Sequence, residues 1–107
     1  MIQVLLELDE KERLLSFKAS GHANCGTKGH DIVCAAVTAL LRTTVQALAA
    51  VQSKITAGQR GMLSFTVLHY DESQTARLQY AAEFLWLGIS SLQKEYPQAI
   101  QCKKIDR

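Results

Sequence analysis

Two side chains suggest chemistry before any fold is assigned. His22 and Cys34 stand at the two ends of a polar stretch, Gly21-His22-Ala23-Asn24-Cys25-Gly26-Thr27-Lys28-Gly29-His30, that runs into the apolar segment Asp31-Ile32-Val33-Cys34-Ala35-Ala36-Val37-Thr38-Ala39-Leu40-Leu41. A thiol attacks a carbonyl only as its thiolate, and a neighbouring imidazole can hold the proton. A glycine-containing loop that feeds a helix gathers free backbone N–H groups and a positive dipole end at one point. A cysteine in the first turn of such a helix has its charged form favoured, and the same N–H groups could stabilise an oxyanion during acyl transfer. This pattern reads as a nucleophile, Cys34, with a base, His22.

Competing readings use the same residues. A cysteine in an apolar helix is commonly packing material, and a histidine after a strand is commonly a loop residue. His22, Cys25, His30 and Cys34 also follow the spacing H-x2-C-x4-H-x3-C, four zinc-ligand types in a short span. Against zinc, Cys34 belongs to a strongly apolar helix, and a domain this rich in apolar residues needs no metal to fold. No C-x-x-C motif points to thiol redox work. No cofactor motif is present, and a metal is not expected.

The elements that must position the pair follow from periodicity. Residues 1–8 alternate, with Ile2, Val4, Leu6 and Leu8 on one side, and read as a strand. After the polar turn 9–12, residues 13–20 alternate again, with Leu15, Phe17 and Ala19 on one face. The two strands form an antiparallel hairpin, which delivers His22 at a strand terminus. Residues 23–30 form a loop in which Gly26 and Gly29 relax the backbone, either a plain connection or a flap that closes over a ligand. Asp31 serves as N-cap of a helix over 32–51, or else orients His22; sequence alone leaves both open. Residues 53–56 form a short edge strand and 62–69 a strand.

Asp71 or Ser73 caps a second helix that runs to Glu95, with a core stripe of Leu78, Ala81, Leu85, Ile89, Leu92 and Tyr96, widened by Phe84 and Leu87. Pro97 stops it. Residues 99–105 form a last strand with Ile100 and Cys102 facing inward. His69 reads as a strand-end surface residue, and Trp86 lies off the main stripe of the second helix. The order predicts one α+β domain over residues 1–107, in which two long helices pack on one face of a mainly antiparallel four- to five-stranded sheet.

The totals exclude several classes. No segment approaches the ~18 apolar residues of a membrane span, and the opening alternation is unlike a secretory signal. The net charge of +2 is spread along the chain, with only Lys103-Lys104 adjacent, so nucleic-acid binding is not required. Three cysteines cannot all pair within one chain, which suits a reducing cytoplasm.

Gly21-His22-Ala23, a gap of seven residues, and then Asp31-Ile32-Val33-Cys34-Ala35-Ala36-Val37 resembles the signature of the bacterial ribosomal-processing cysteine proteases. The resemblance extends through Ser91-Leu92-Gln93 and Glu95-Tyr96 to cover essentially the whole chain. It implies a cytoplasmic homodimer with a cysteine–histidine dyad, His22 the base and Cys34 the nucleophile. The implied substrate is a short N-terminal extension on the large-subunit ribosomal protein whose N-terminus reaches the peptidyl-transferase centre. Gly21 and Asp31 match positions tied to the family's site, and Thr38 stands where the family often has Ser. The alternative expectation is a non-enzymatic zinc- or RNA-binding module associated with the ribosome.

Overall fold

The computed structural model describes residues 1–21, 28–57 and 62–107, with the side chains of 28–31 outside that description. Among the described residues eight elements form two layers. β1 (Ile2–Leu8) and β2 (Leu14–Ser20) form the opening hairpin, α1 spans Lys28–Ala47, and β3 (Gln52–Thr56) and β4 (Leu63–His69) form a second hairpin. A short 3-10 turn, Glu72–Gln74, leads into α2 (Thr75–Glu95), and β5 (Ile100–Asp106) closes the chain. The sheet order is β3-β4-β2-β1-β5. Every pairing is antiparallel except β1 with β5, which the crossover through α2 makes possible. The α+β expectation and the five-stranded sheet are therefore borne out.

The core lies between the helices and one sheet face. Ile2, Val4, Leu6 and Leu8 supply the β1 contribution, and Phe17 stacks on Phe65 across the β2–β4 pairing with ring centroids 5.3 Å apart. Such a buried aromatic contributes about 1.5–3 kcal/mol by leaving water. The helices answer with Val33, Val37, Leu41 and Leu48 from α1, and with Leu78, Ala82, Leu85 and Ile89 from α2. Gly88 of α2 faces Leu40 of α1: a Cβ there would stand 3.0 Å from Leu40 Cδ1. No helix among the described residues is long and apolar enough to cross a membrane.

Three local expectations are corrected. The face of β2 is led by Leu14 rather than Leu15, because the hairpin carries a bulge. Asp9 N–H bonds to Arg13 O, Glu12 N–H bonds to Asp9 O, and Glu12 sits at φ 61°. This is a three-residue loop with one residue in the left-handed region. Leu8 then pairs with Leu14 while Glu7 pairs with Ser16, so Leu15 is the extra residue of the bulge. Phe84 and Leu87 do not widen the buried stripe of α2; they are 43% and 58% exposed, Phe84 at the rim of the groove between the two helices. Finally, α1 begins at Lys28, not after Asp31, and ends at Ala47.

The hairpin turn is tied to the helical layer by a part-buried polar network. Arg13 is buried, donates from Nε to Asp9 Oδ2 at 2.6 Å, and lies 4.5 Å over the Tyr70 ring. Tyr70 OH donates to the same carboxylate, and Arg13 reaches Thr75 Oγ1 at the start of α2. Burial alone would push the Asp9 carboxyl up, but bonds from the Arg13 backbone N–H, its guanidinium and the Lys11 N–H outweigh it and hold the group below the usual carboxylate range. A folded-state value below the unfolded one means the stabilisation is complete above about pH 4 and is lost as pH falls through the depressed value. The melting-temperature difference between the native chain and Asp9→Asn is therefore expected to shrink steadily from pH 6 to pH 2.5. A pH-independent difference would contradict the linkage.

Candidate active site

Gly21 sets the exit from β2. Its φ of +94° lies in the left-handed region, and a Cβ built there would run into the Met1 carbonyl oxygen. The strand is anchored just before it by the Gln3–Ser20 pairing. His22 follows directly in sequence. His22, Cys25 and Gly26 lie outside the described residues, as do the side chains of His30 and Asp31.

The early start of α1 changes the electrostatic argument for Cys34. Lys28, Gly29, His30 and Asp31 fill the first turn, so Cys34 stands in the second. The dipole and the unpaired N–H groups of a helix act chiefly within its first turn. The expectation that Cys34 occupies that turn, and that the free N–H groups surround it, is therefore corrected. So is the assignment of Asp31 as N-cap, since the helix is already under way there. Gly29 belongs to the helix and not to the loop.

Cys34 is half-buried and packs at the rim of the core. Its neighbour Val33 is fully buried, while Thr38, one turn further along, is exposed. The buried line of α1 runs through Val33, Val37, Leu41, Thr44 and Leu48. Leu40, against Gly88, lies on the flank toward α2; by helical spacing Cys34 and Thr38 lie on the opposite flank. The thiol is thus placed on the side of α1 that α2 leaves open.

The remaining candidates have structural surroundings. Cys102, expected in the core, is only half-buried because β5 is an edge strand; its backbone N–H and thiol both meet Gln93 Oε1, at 2.6 and 3.0 Å, and burial pushes the thiol pKa up. That raises the cost of thiolate formation and makes Cys102 a poor nucleophile. His69 is exposed at the end of β4. Trp86 is half-buried beneath Lys104, whose Nζ stands 5.0 Å from the ring centroid. Among the described residues no group of three or more His, Cys, Asp or Glu could hold a metal ion. Sequence reading missed the Arg13–Asp9–Tyr70 network; the available signal was an arginine four residues after an aspartate that also begins a turn.

Residues 1–101 match the family described as cysteine protease Prp. The ribosomal processing cysteine protease Prp of Bacillus subtilis is 29% identical over 103 residues, covering 90% of each chain. A crystal structure from Streptococcus mutans superposes with a TM-score of 0.82 at 28% identity, over 100% of this chain and 96% of that one. The S. aureus ribosomal processing protease Prp with a covalently linked product peptide gives a TM-score of 0.80 at 22% identity, over 97% of this chain and 99% of that one, a likeness of fold.

Proposed function

This chain belongs to the cysteine protease Prp family, and on that premise we propose that it removes a short N-terminal extension from a large-subunit ribosomal protein, with Cys34 as nucleophile and His22 as base. The protein is a ribosomal-processing cysteine protease by family; the named substrate and the dyad are the proposal. The observation that carries it is the half-buried thiol of Cys34 on the open flank of α1. Two steps account for the reaction. The Cys34 thiol passes its proton to His22 as the sulfur attacks the scissile carbonyl, and the imidazolium returns that proton to the departing amine. Water, deprotonated by the same imidazole, then opens the thioester and regenerates the thiol. Asp31 orients His22, and Thr38 offers a hydroxyl one turn from the sulfur. Gly26 lets the preceding segment close over the peptide, a role that Gly29, being helical, does not share.

The substrate is the extension of the ribosomal protein whose N-terminus reaches the peptidyl-transferase centre, the family substrate class that the signature implies. Relatives from S. aureus hold substrate and product peptides, which supports a peptide ligand. A thiol nucleophile works only when reduced, which fits the cytoplasm. We further propose a homodimer: the stacked Tyr80–Phe84 pair and Leu87 expose a contiguous apolar side of α2 that a second copy would cover. Sedimentation should give the mass of two chains, and Phe84→Glu should give that of one; an unshifted Phe84→Glu dimer would move the interface elsewhere. The function is tested by acid-quenching a reaction with the extended ribosomal protein and reading intact mass. An acyl adduct on the peptide containing Cys34 is expected. Cleavage that continues after Cys34 has been alkylated would overturn the assignment.

A further inference from the structure

Apolar surface flanks α1 on both sides, and we infer that the peptide being cut lies on the β3–β4 side, where Ile55 selects an apolar side chain next to the scissile bond. The inference rests on Cys34 being the nucleophile. On the α2 side of α1 there is a groove of about 210 Å³ lined by Thr43, Ala47, Tyr80 and Phe84. Cys34 does not face it: helical spacing puts Cys34, Thr38 and Val45 on the other flank of the buried line. α2 packs on β1, β2 and β5. The flank of α1 turned away from α2 therefore overlooks β4 and the edge strand β3.

Ile55 stands on that side of the sheet. It pairs with Phe65, which is fully buried against the helical layer, and directly paired residues project from the same face. Yet Ile55 is 50% exposed. Beside it Leu63 and Val67 of β4 are only partly buried, and Met62, just before β4, is 42% exposed. The pairings Thr56–Ser64 and Ala19–Leu63 bring this end of β3 level with the end of β2 from which Gly21 and His22 follow. The end of β3 level with the exit of β2 thus carries apolar side chains, Ile55 and Met62, that are exposed. An aliphatic surface of this kind, on the side of α1 to which Cys34 belongs, is completed by an apolar side chain of the ligand.

The test uses a synthetic peptide spanning the ribosomal protein's N-terminal extension and its cleavage point. Ile55→Glu is expected to lower kcat/KM by about tenfold or more, chiefly through KM, while Ile55→Val stays within about twofold of the native enzyme, because valine keeps the aliphatic contact that a polar side chain loses. An exposed edge-strand position leaves the melting temperature nearly unchanged; should Ile55→Glu fail to fold, Ile55→Thr keeps the β-branch and reads the same loss of apolar contact. Substituting lysine in turn at each residue flanking the scissile bond should reveal one position that Ile55→Glu cleaves better than the native enzyme does. Peptide affinity is measured in parallel in the Cys34→Ala background, with and without Ile55→Glu. Equal affinities there, with a native KM for folded Ile55→Glu, would overturn the role of Ile55 whatever the chemistry. A fully active Cys34→Ala would instead overturn the nucleophile on which the inference rests.

Discussion

Cys34→Ala is expected to lower kcat/KM for the extended ribosomal protein by about three orders of magnitude or more, the scale on which removal of a covalent nucleophile acts. The sulfur is half-buried at the rim of the core, so little apolar surface is lost and the melting temperature should move by only a few degrees. That separation of rate from stability is the diagnostic. Cys34→Ser sharpens it: the side chain keeps its shape and hydrogen-bonding capacity but presents a far more basic oxygen that His22 deprotonates poorly at neutral pH. Serine should therefore be nearly as inactive as alanine. A serine variant with native rates would mean that Cys34 fills space and that the carbonyl is attacked by something else. His22→Ala should follow the cysteine variants in rate.

Gly21→Ala carries the second large effect, through geometry instead of chemistry. At φ +94° a residue with a Cβ incurs about 1–2 kcal/mol of backbone strain. The added carbon also meets the Met1 carbonyl oxygen, which is main chain and cannot rotate aside. Either the strand exit or the start of β1 must shift, and the turn leading into His22 shifts with it. A misplacement of about 1 Å at a reacting group can cost about a hundredfold in rate. Cleavage should fall by that order, and the melting temperature by roughly 4–8 °C for each kcal/mol lost. Gly21→Asn separates the two causes, since asparagine tolerates positive φ but still carries the offending carbon. It should be nearly as impaired as alanine; recovery by asparagine would assign the cost to strain alone. An unperturbed Gly21→Ala would show that this exit does not govern the site.

Much of the fold could be read from period and punctuation. The strict alternation of Ile2, Val4, Leu6 and Leu8 is a strand because only one sheet face is covered, and all four are buried. Leu78, Ala81, Leu85 and Ile89 repeat at helical spacing and form the buried stripe of α2. Legibility failed where the answer depended on a partner. Leu14 and Leu15 exchange roles because of a bulge set by the backbone of the Asp9–Glu12 turn, which leaves no apolar signal. Phe84 and Leu87 look like core in a helical repeat, but the width of a buried stripe is decided by what packs against it. Gly29 reads as a breaker, although it lies within α1. At the site, the residue types of His22 and Cys34 were legible. The direction in which Cys34 projects was not, because the open flank of α1 is defined only once Leu40 has met Gly88. The side chains of His22 and Asp31 lie outside the described residues.

The place of β1 bears on when the enzyme can first work. β1 has β2 on one side and β5 on the other, and Ile2 N–H bonds to Ala99 O. During synthesis the opening hairpin and α1 leave the exit tunnel long before β5 exists. Until then one edge of β1 is unpaired, and the Met1–Ile2 backbone that abuts Gly21 lacks its second support. Sequence-distant pairing of this kind is slow to form. It also delays activity: a nascent chain has Cys34 early but lacks the strand that steadies the approach to it until β5 has paired with β1.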